Sequence, residues 1–216
     1  SEDEQRLEER KHLRVAGDPS SHPVWRDPVV ALRATTRLIS LARETGKRVH
    51  LELGGKAPLV VFKDADVEAA AHGAVAGSTI NGGQDCTAAT RAYVHSSLFE
   101  TFTARVAELM DAMVVGDPTD EDTDMGSLIS FAHRGKVSEM VERAKEAGAT
   151  VRAGGVVPDL PGAFYRPTLI TGATQDSEIV QDEVFGPVLV ALPFETDDEA
   201  IEMANDTPFG LAASAW

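Results

Sequence analysis

One stretch of the chain, residues 59–77, reads LVVFKDADVEAAAHGAVAG and joins a short apolar run to a helical segment. The apolar run at 59–62 is typical of a buried strand. Asp64 or Asp66 can cap the helix that follows, and Gly73 and Gly77 among the alanines leave room for close packing. A strand followed at once by a helix predicts a βα unit, the building block of parallel sheets.

The same alternation of strand and helix continues on both sides of this stretch. We therefore predict an α/β fold with a mainly parallel sheet over residues 49–195. In such open sheets ligands bind beyond the carboxyl ends of the strands, so we expect the functional cleft there. Strands are predicted at 49–53, 59–62, 91–95, 150–153, 168–171 and 188–193.

Amphipathic helices connect these strands. The helix after residue 95 can be capped by Ser96 or Ser97, and its apolar stripe from Phe99 to Met113 has helical spacing, which predicts a core position. Further helices are predicted at 29–43 (ended by Gly46), at 131–147 (ended by Gly148) and at 197–205 (with Ile201 and Ala204 facing inward).

The charge balance limits the function classes. The net charge is −15, and nucleic acids and anionic membranes both require a basic surface, so neither is expected as a partner. A single cysteine excludes an internal disulfide framework, and no apolar run has the length of a membrane span. We expect a cytoplasmic protein that acts on a small molecule.

The charge also divides the chain. Residues 1–48 hold 10 Lys and Arg against 8 Asp and Glu, whereas residues 49–216 hold 10 against 27. Residues 1–14 could form a short solvated helix, and its continuation would be broken by Gly17, Pro19, Ser20, Ser21, Pro23 and Pro28. We predict that residues 1–48 form a partly disordered extension or a remnant of another domain, and that residues 49–216 form the main domain.

Two short motifs suggest chemistry. Cys86 follows Asn81-Gly82-Gly83-Gln84-Asp85, whose small residues leave its thiol open to approach. Glu52 interrupts the apolar run at 49–53 and is followed closely by Gly54 and Gly55, and a carboxylate in an apolar strand is costly without a role or a partner. Cys86 is a candidate nucleophile and Glu52 a candidate base, although a free cysteine also serves as a small core residue.

These motifs resemble the aldehyde dehydrogenase superfamily, which has its base in Glu-Leu-Gly-Gly-Lys and its nucleophile in Gly-Gln-x-Cys. The resemblance covers roughly residues 46–216. Within the superfamily, residues 83–88 look most like the aminobutyraldehyde dehydrogenases of bacterial putrescine degradation. The shared motifs further along the chain are Asp124-Met125-Gly126, Gly154-Gly155, Tyr165-Arg166-Pro167-Thr168-Leu169, Glu183-Val184-Phe185-Gly186-Pro187-Val188 and Asn205-Asp206-Thr207-Pro208-Phe209-Gly210-Leu211.

The resemblance implies NAD-dependent oxidation of an aldehyde such as 4-aminobutanal to the acid, through a thiohemiacetal and a thioester on Cys86. Glu52 would then activate water. Glu183 would hold the nicotinamide ribose, Phe185 would pack near the nicotinamide ring, and the backbone at Leu53 would approach the carboxamide. The resemblance also implies an aldehyde dehydrogenase-like catalytic domain in a homo-oligomer.

Other features leave alternatives open. Residues 26–31 lack the Gly-Ser turn that the family places under the pyrophosphate, so the nucleotide-binding domain is expected to be incomplete. The C-terminus ends early by the family's standard, so truncation at both ends is expected, and this chain alone is expected to bind NAD poorly. It could be an inactive remnant, or a cofactor-independent cysteine esterase that uses Glu52 and Cys86.

Several polar residues have competing interpretations. Asp85 could attract the ammonium group of an amino-aldehyde or remain a solvated loop carboxylate, and His50 could tune Glu52 or simply pack. Asn81 is expected to shape the loop before Cys86, and Lys56 to anchor a turn. The six histidines lack metal-ligand spacing, and the acidic residues 116–124 predict a surface loop, so no metal is expected.

Overall fold

A computed structural model describes residues 28–216 except Val49 and Leu51, with side chains described from residue 36 onward. The chain divides into two compact units, Ser1–Glu52 and Leu53–Trp216. In the first unit, helix α1 spans Pro28–Thr45, and Gly46 follows it at a φ of 65°, which confirms the predicted helix and its end. The disorder predicted for the N-terminal residues lies outside the described residues.

The second unit is built on a six-stranded sheet in the order β3-β4-β5-β2-β1-β6. All neighbouring strands are parallel except β3 and β4, which pair antiparallel, so the mainly parallel sheet is confirmed. The strands are β1 (Ala57–Val61), β2 (Ala89–His95), β3 (Thr150–Ala153), β4 (Thr168–Thr171), β5 (Val188–Phe194) and β6 (Ser214–Ala215).

Two helices cover one face of the sheet. Helix α2 (Val67–Thr79) begins after Asp66, whose side chain accepts a hydrogen bond from the Ala69 N–H at 3.1 Å, as predicted. Its small residues allow a close approach, since a Cβ on Gly73 would lie 2.3 Å from the Trp216 ring. Helix α3 (Ser96–Ala112) packs beside it and buries Phe102, which confirms the predicted apolar stripe.

Three helices cover the other face: α4 (Phe131–Glu146), α5 (Glu178–Gln181) and α6 (Asp197–Asn205). Their apolar residues form one cluster with the strand residues that point the same way. Members of this cluster are Val60, Tyr93, Val137, Val141, Ile170, Val190 and Ala200. A sheet covered on both faces accounts for the nearly continuous burial of β2, β4 and β5.

Three local predictions are wrong. His50, Glu52 and Leu53 belong to no strand, because none of them takes part in the ladder of the sheet. His95 caps α3 in place of Ser96 or Ser97, since its ring nitrogen accepts from the Ser97 N–H and leaves both serines inside the helix. Ile201 is 56 % exposed, because Ala200 is the residue of α6 that faces the core.

The acidic segment 116–124 is largely exposed and forms the predicted surface loop. Within the described ranges, no group of three or more His, Cys, Asp or Glu is arranged to hold a metal ion. No helix among the residues that the structure describes is both long and apolar enough to cross a membrane.

Candidate active site

The candidate site of the second unit lies at the amino ends of the parallel strands. Residues 54–56 lead into β1, Cys86 lies shortly before β2, and residues 183–187 lead into β5. The prediction of a cleft at the carboxyl ends is therefore wrong for these segments. Helix α2 is the reason, because it returns the chain from the carboxyl end of β1 to the opposite edge before Cys86 is reached.

The loop before Cys86 is a sharply turned segment. Residues Ile80–Gly83 form a 3₁₀ turn in which Asn81 has a φ of 50° and Gly82 a φ of 65°. The Asn81 side chain donates to the Gln84 carbonyl at 2.9 Å, and the Gln84 amide donates back to the Asn81 carbonyl at 3.0 Å. Asn81 tolerates this left-handed backbone better than most residues, which confirms its predicted role in shaping the loop.

Asp85 is fixed by its own loop. Its Oδ1 accepts from both the Thr87 N–H and the Thr87 hydroxyl, each at 2.6 Å. These hydrogen bonds lower the pKa of the Asp85 carboxyl, so it is ionised at neutral pH. Its Oδ2 accepts no hydrogen bond from the described residues, so one anionic oxygen is left beside Cys86.

Cys86 is partly buried and lies against the glycine pair. A Cβ on Gly55 would lie 2.0 Å from the Cys86 carbonyl oxygen, so only glycine fits at position 55. The backbone N–H of Cys86 donates no hydrogen bond to any described residue. A loop packed this closely presents the thiol and an available N–H donor from one fixed backbone.

Glu183 contacts the same glycine pair. Its Oε1 accepts from the Gly55 N–H at 3.0 Å, and its Oε2 lies 2.5 Å from the position of a Cβ on Gly54. Burial raises the pKa of the Glu183 carboxyl, while the Gly55 N–H and the Lys56 ammonium oppose that shift. The sequence motifs containing Glu183 and Cys86 are therefore brought together through Gly54 and Gly55.

Lys56 and Arg91 form a buried cationic pair that sequence reasoning missed. Lys56 is 2 % exposed, and its Nζ has no hydrogen-bond partner; burial, then Arg91, lowers its pKa to about 7. Arg91 donates to the carbonyls of Lys56 and Ala204 and to the Tyr93 hydroxyl. The unusual signal was an arginine inside a predicted strand, where a buried charge requires several partners.

The first unit contains the predicted base. The Glu52 side chain is 77 % exposed, and its carboxylate contacts the ring of His50, which is also exposed, so the packing interpretation of His50 is wrong. Leu53, the first residue of the second unit, is 52 % exposed. The convergence of Glu52 and Cys86 on one cleft stays a prediction.

The residues predicted for the nicotinamide end of NAD fit such a group. Glu183 is partly buried, and its Oε2 accepts no hydrogen bond from the described residues, so this oxygen can accept one from a sugar hydroxyl. Phe185, two residues further along the same loop, is partly exposed. A half-buried acceptor and an accessible aromatic ring on one loop suit a ribose joined to a flat heterocycle.

Cys86, the glycine pair and Glu183 thus lie together at the amino ends of the strands of a mainly parallel α/β sheet. The family model described as the Aldehyde dehydrogenase family matches residues 32–216. The chain belongs to the aldehyde dehydrogenase family. The match begins upstream of residue 46, where the recognisable motifs start.

Individual relatives agree with this assignment. A betaine aldehyde dehydrogenase of Brucella anthropi is 45 % identical over 184 residues, which cover 83 % of this chain and 38 % of the relative. The NADP(+) succinate-semialdehyde dehydrogenase of Mycobacterium leprae is 42 % identical over 200 residues, covering 89 % of this chain and 44 % of its own length. The chain thus spans about two fifths of the curated relatives it matches.

Solved structures share the fold. The NAD+ complex of an aldehyde dehydrogenase from Bacillus cereus has a TM-score of 0.81 and 39 % identity, over 85 % of this chain and 37 % of that one. A betaine aldehyde dehydrogenase from Staphylococcus aureus in complex with NAD+ has a TM-score of 0.80 and 38 % identity, and the match covers 85 % of this chain and 37 % of that one. Homologues of this chain therefore bind NAD.

Proposed function

We propose that this chain provides the catalytic part of an NAD-dependent aldehyde dehydrogenase whose nucleophile is Cys86. The observation that supports this most directly is the packing of Gly55 against the Cys86 carbonyl, with Glu183 bonded to the Gly55 N–H. A thiol, a free N–H and a carboxylate are thereby held at the amino ends of the parallel strands.

Each residue then has a defined task. The Cys86 thiolate attacks the aldehyde carbon, and the Cys86 N–H donates to the oxygen that becomes negatively charged in the tetrahedral adduct. NAD, which Glu183 and Phe185 would hold, would supply the acceptor for the hydride that the adduct loses on becoming a thioester. Glu52 takes a proton from the water that attacks the thioester, which releases the acid and restores the thiol.

Glu183 serves orientation in this scheme. Its Oε2 accepts from the ribose hydroxyls of the cofactor, while its Oε1 stays bonded to the Gly55 N–H. The glycine pair thereby contacts the nucleophile loop on one side and the cofactor-binding carboxylate on the other.

For the substrate we propose an aldehyde with a cationic far end, such as 4-aminobutanal, the substrate class met in putrescine breakdown. The free Oδ2 of ionised Asp85 beside Cys86 and the net charge of −15 both favour a cation. A betaine aldehyde, as in one relative's name, has a cationic end too, whereas succinate semialdehyde has an anionic one.

The remaining properties are proposals of the same kind. We take NAD as the cofactor because of the NAD+ complexes among the homologues, while NADP stands in the name of one relative. We propose a homo-oligomer because members of the family form such assemblies. We propose the cytoplasm as its location because the protein is acidic and has one free cysteine.

The test follows NADH formation by the purified chain with 4-aminobutanal in excess, at an NAD concentration high enough to saturate the weak binding expected of this chain. We expect NADH formation by the wild type and none by Cys86→Ser. In Glu52→Gln we expect one equivalent of NADH, together with an intact-mass increase on Cys86, because the thioester forms but water is not activated. Absence of NADH from the wild type at saturating NAD contradicts the proposal.

Two further measurements refine it. Butanal and 4-aminobutanal are compared in wild type and Asp85→Asn; a preference for the amine that Asp85→Asn removes supports the cationic substrate, and equal kcat/KM values contradict it. A cysteine esterase is the second candidate, favoured by the free Cys86 N–H. Turnover of p-nitrophenyl acetate that needs Cys86, without any NADH from aldehydes, would support the esterase instead.

A further inference from the structure

The segment from Ile129, just before α4, to the first turn of that helix contacts the two loops of the candidate site. Gln84, two residues before Cys86, accepts from the Ile129 N–H through its Oε1 at 2.8 Å. His133, in the first turn of the helix, has its Nε2 2.6 Å from the Phe185 carbonyl oxygen. One short segment of chain therefore touches both the nucleophile loop and the Glu183 loop.

The hydrogen bond of His133 determines which of its ring nitrogens carries a hydrogen. A carbonyl oxygen has no proton to donate, so the Nε2 of His133 must bear the hydrogen. The neutral Nε2–H form and the doubly protonated ring both satisfy this contact, so it requires no charge. The ring also lies edge-on to the Phe185 ring, with centroids 6.1 Å apart.

Phe185 needs such support because its backbone is strained. It has a φ of 54°, a left-handed conformation that side chains other than glycine adopt at a cost. Gly186 follows it, and a Cβ there would lie 2.7 Å from Val137 of α4. The helix thus contacts the strained residue through one hydrogen bond and its neighbour through close packing.

The backbone on the far side of this loop is also fixed. A Cβ on Gly83 would lie 2.1 Å from the Gly186 carbonyl oxygen, so the two loops touch directly. The Ser130 hydroxyl accepts from the His133 N–H at 3.1 Å and sets the start of the helix. The backbone of His133 is therefore fixed by the helix start, independently of its side-chain contact with Phe185.

We propose that His133 is a positioning residue that holds Phe185 in its left-handed conformation through the Nε2–H bond, and so orients the ring toward the cofactor. The part that concerns the cofactor rests on the proposed function. Glutamine at position 133 has an amide donor that can replace Nε2–H, whereas phenylalanine keeps a ring but has no donor.

The experiment labels the chain with 4-fluorophenylalanine and assigns the Phe185 fluorine signal by its loss in Phe185→Leu. In His133→Phe, the same Phe185→Leu change made in that variant separates the Phe185 signal from that of the added phenylalanine. We expect His133→Ala and His133→Phe to shift or broaden this signal, and His133→Gln to restore it to near the wild-type position. His72→Ala is the matched control, since His72 is an exposed histidine on α2. Thermal melts confirm that each variant is folded. If His133→Ala does not fold, His133→Phe is used in its place.

A Phe185 signal that stays unchanged in His133→Phe overturns the proposal, and so does a signal that moves equally in His133→Phe and His133→Gln. The cofactor part is tested by NADH formation. We expect the KM for NAD to rise about tenfold in His133→Ala, to stay within about twofold in His133→Gln, and kcat to change little. If the wild type forms no NADH, the proposed function fails, and the fluorine signal still decides the role of His133.

Discussion

The segment around Glu52 and the loop around Cys86 hold their functional side chains in different ways. Glu52 is exposed and belongs to no strand, and among the described residues its carboxylate contacts the ring of His50, which is also exposed. Cys86 is fixed by a 3₁₀ turn, by a direct backbone contact with Gly55 and by hydrogen bonds of its neighbours. The comparison shows that two equally recognisable sequence motifs can differ in how firmly the fold holds their side chains.

The largest effect is expected at the glycine pair. Gly55→Ala should lower the free energy of unfolding by about 3 kcal/mol, because the new Cβ has backbone and not a flexible side chain in its way. Urea denaturation measures this change, and the rate of Cys86 alkylation reports the displacement of the loop.

Gly135→Ala is the matched control for that substitution. Gly135 lies within α4 with no atom within 4 Å of its Cβ position, so alanine should stabilise the helix by about 0.5–1 kcal/mol. If Gly55→Ala unfolds at the same urea concentration as the wild type, the close contact with Cys86 does not exist.

The second effect concerns the buried amine at the same edge. Because the folded pKa of Lys56, about 7, lies below its ordinary value of 10.5, the unfolded chain binds more protons between these values. Lys56 therefore makes the protein more stable as the pH rises from about 7 toward 10, by at most about 1.4 kcal/mol per pH unit. Above that range the raised pKa values of Tyr93 and Tyr165 act in the opposite direction.

Lys56→Met should remove this slope and stabilise the protein by about 2 kcal/mol at neutral pH, since it replaces an unpartnered amine by an apolar chain of similar length. Guanidinium denaturation at about pH 7 and pH 9 tests it. An unchanged slope in Lys56→Met would show that other groups cause the pH dependence.

A smaller effect is expected at Asp85. Asp85→Ala removes the acceptor for the Thr87 N–H and hydroxyl, which should cost about 0.5–1 kcal/mol after allowance for solvent exposure. The contribution is present above the ordinary pKa of 3.8 and is lost as the pH falls through the lowered folded value. Urea melts at about pH 3 and pH 7 should therefore differ less in Asp85→Ala than in the wild type.

The smallest effect is expected in the first unit. His50→Ala should leave the melting temperature unchanged within error, because a contact between two solvent-exposed side chains adds little. A measurable loss of stability would mean that the Glu52 segment is more strongly restrained than its exposure indicates, and would weaken the comparison.

Much of the fold was predictable because its signals are local. The alternation of apolar runs and capped helices predicted β1 with α2 and five strands in all, and the stripe from Phe99 to Met113 identified the buried face of α3. Cap identity at His95 was not predictable, because an imidazole acceptor competes with two serines that are better caps by composition.

The residues of the candidate site are named by local motifs, whereas their arrangement in space is not. Cys86, Glu183 and Phe185 were identified by resemblance, yet the edge of the sheet on which they lie depends on the return path of α2. The contacts of His133 and Lys56 join residues that are far apart in the sequence, so no local pattern predicts them. Glu52 shows the converse, since the described residues of its predicted strand, His50, Glu52 and Leu53, belong to no strand although its motif is intact.

The strand order has a consequence for how the protein is made. β5 lies between β2 and β4, so the pair β1–β2 and the pair β3–β4 have no strand in common until residues 188–194 have been synthesised. On the ribosome, the emerging chain therefore holds two separate half-sheets with open edges from the synthesis of β4, at residues 168–171, until β5 has been added. Cooperative folding, and with it the approach of residues 183–187 to the Cys86 loop, is expected only after β5 has emerged and joined them.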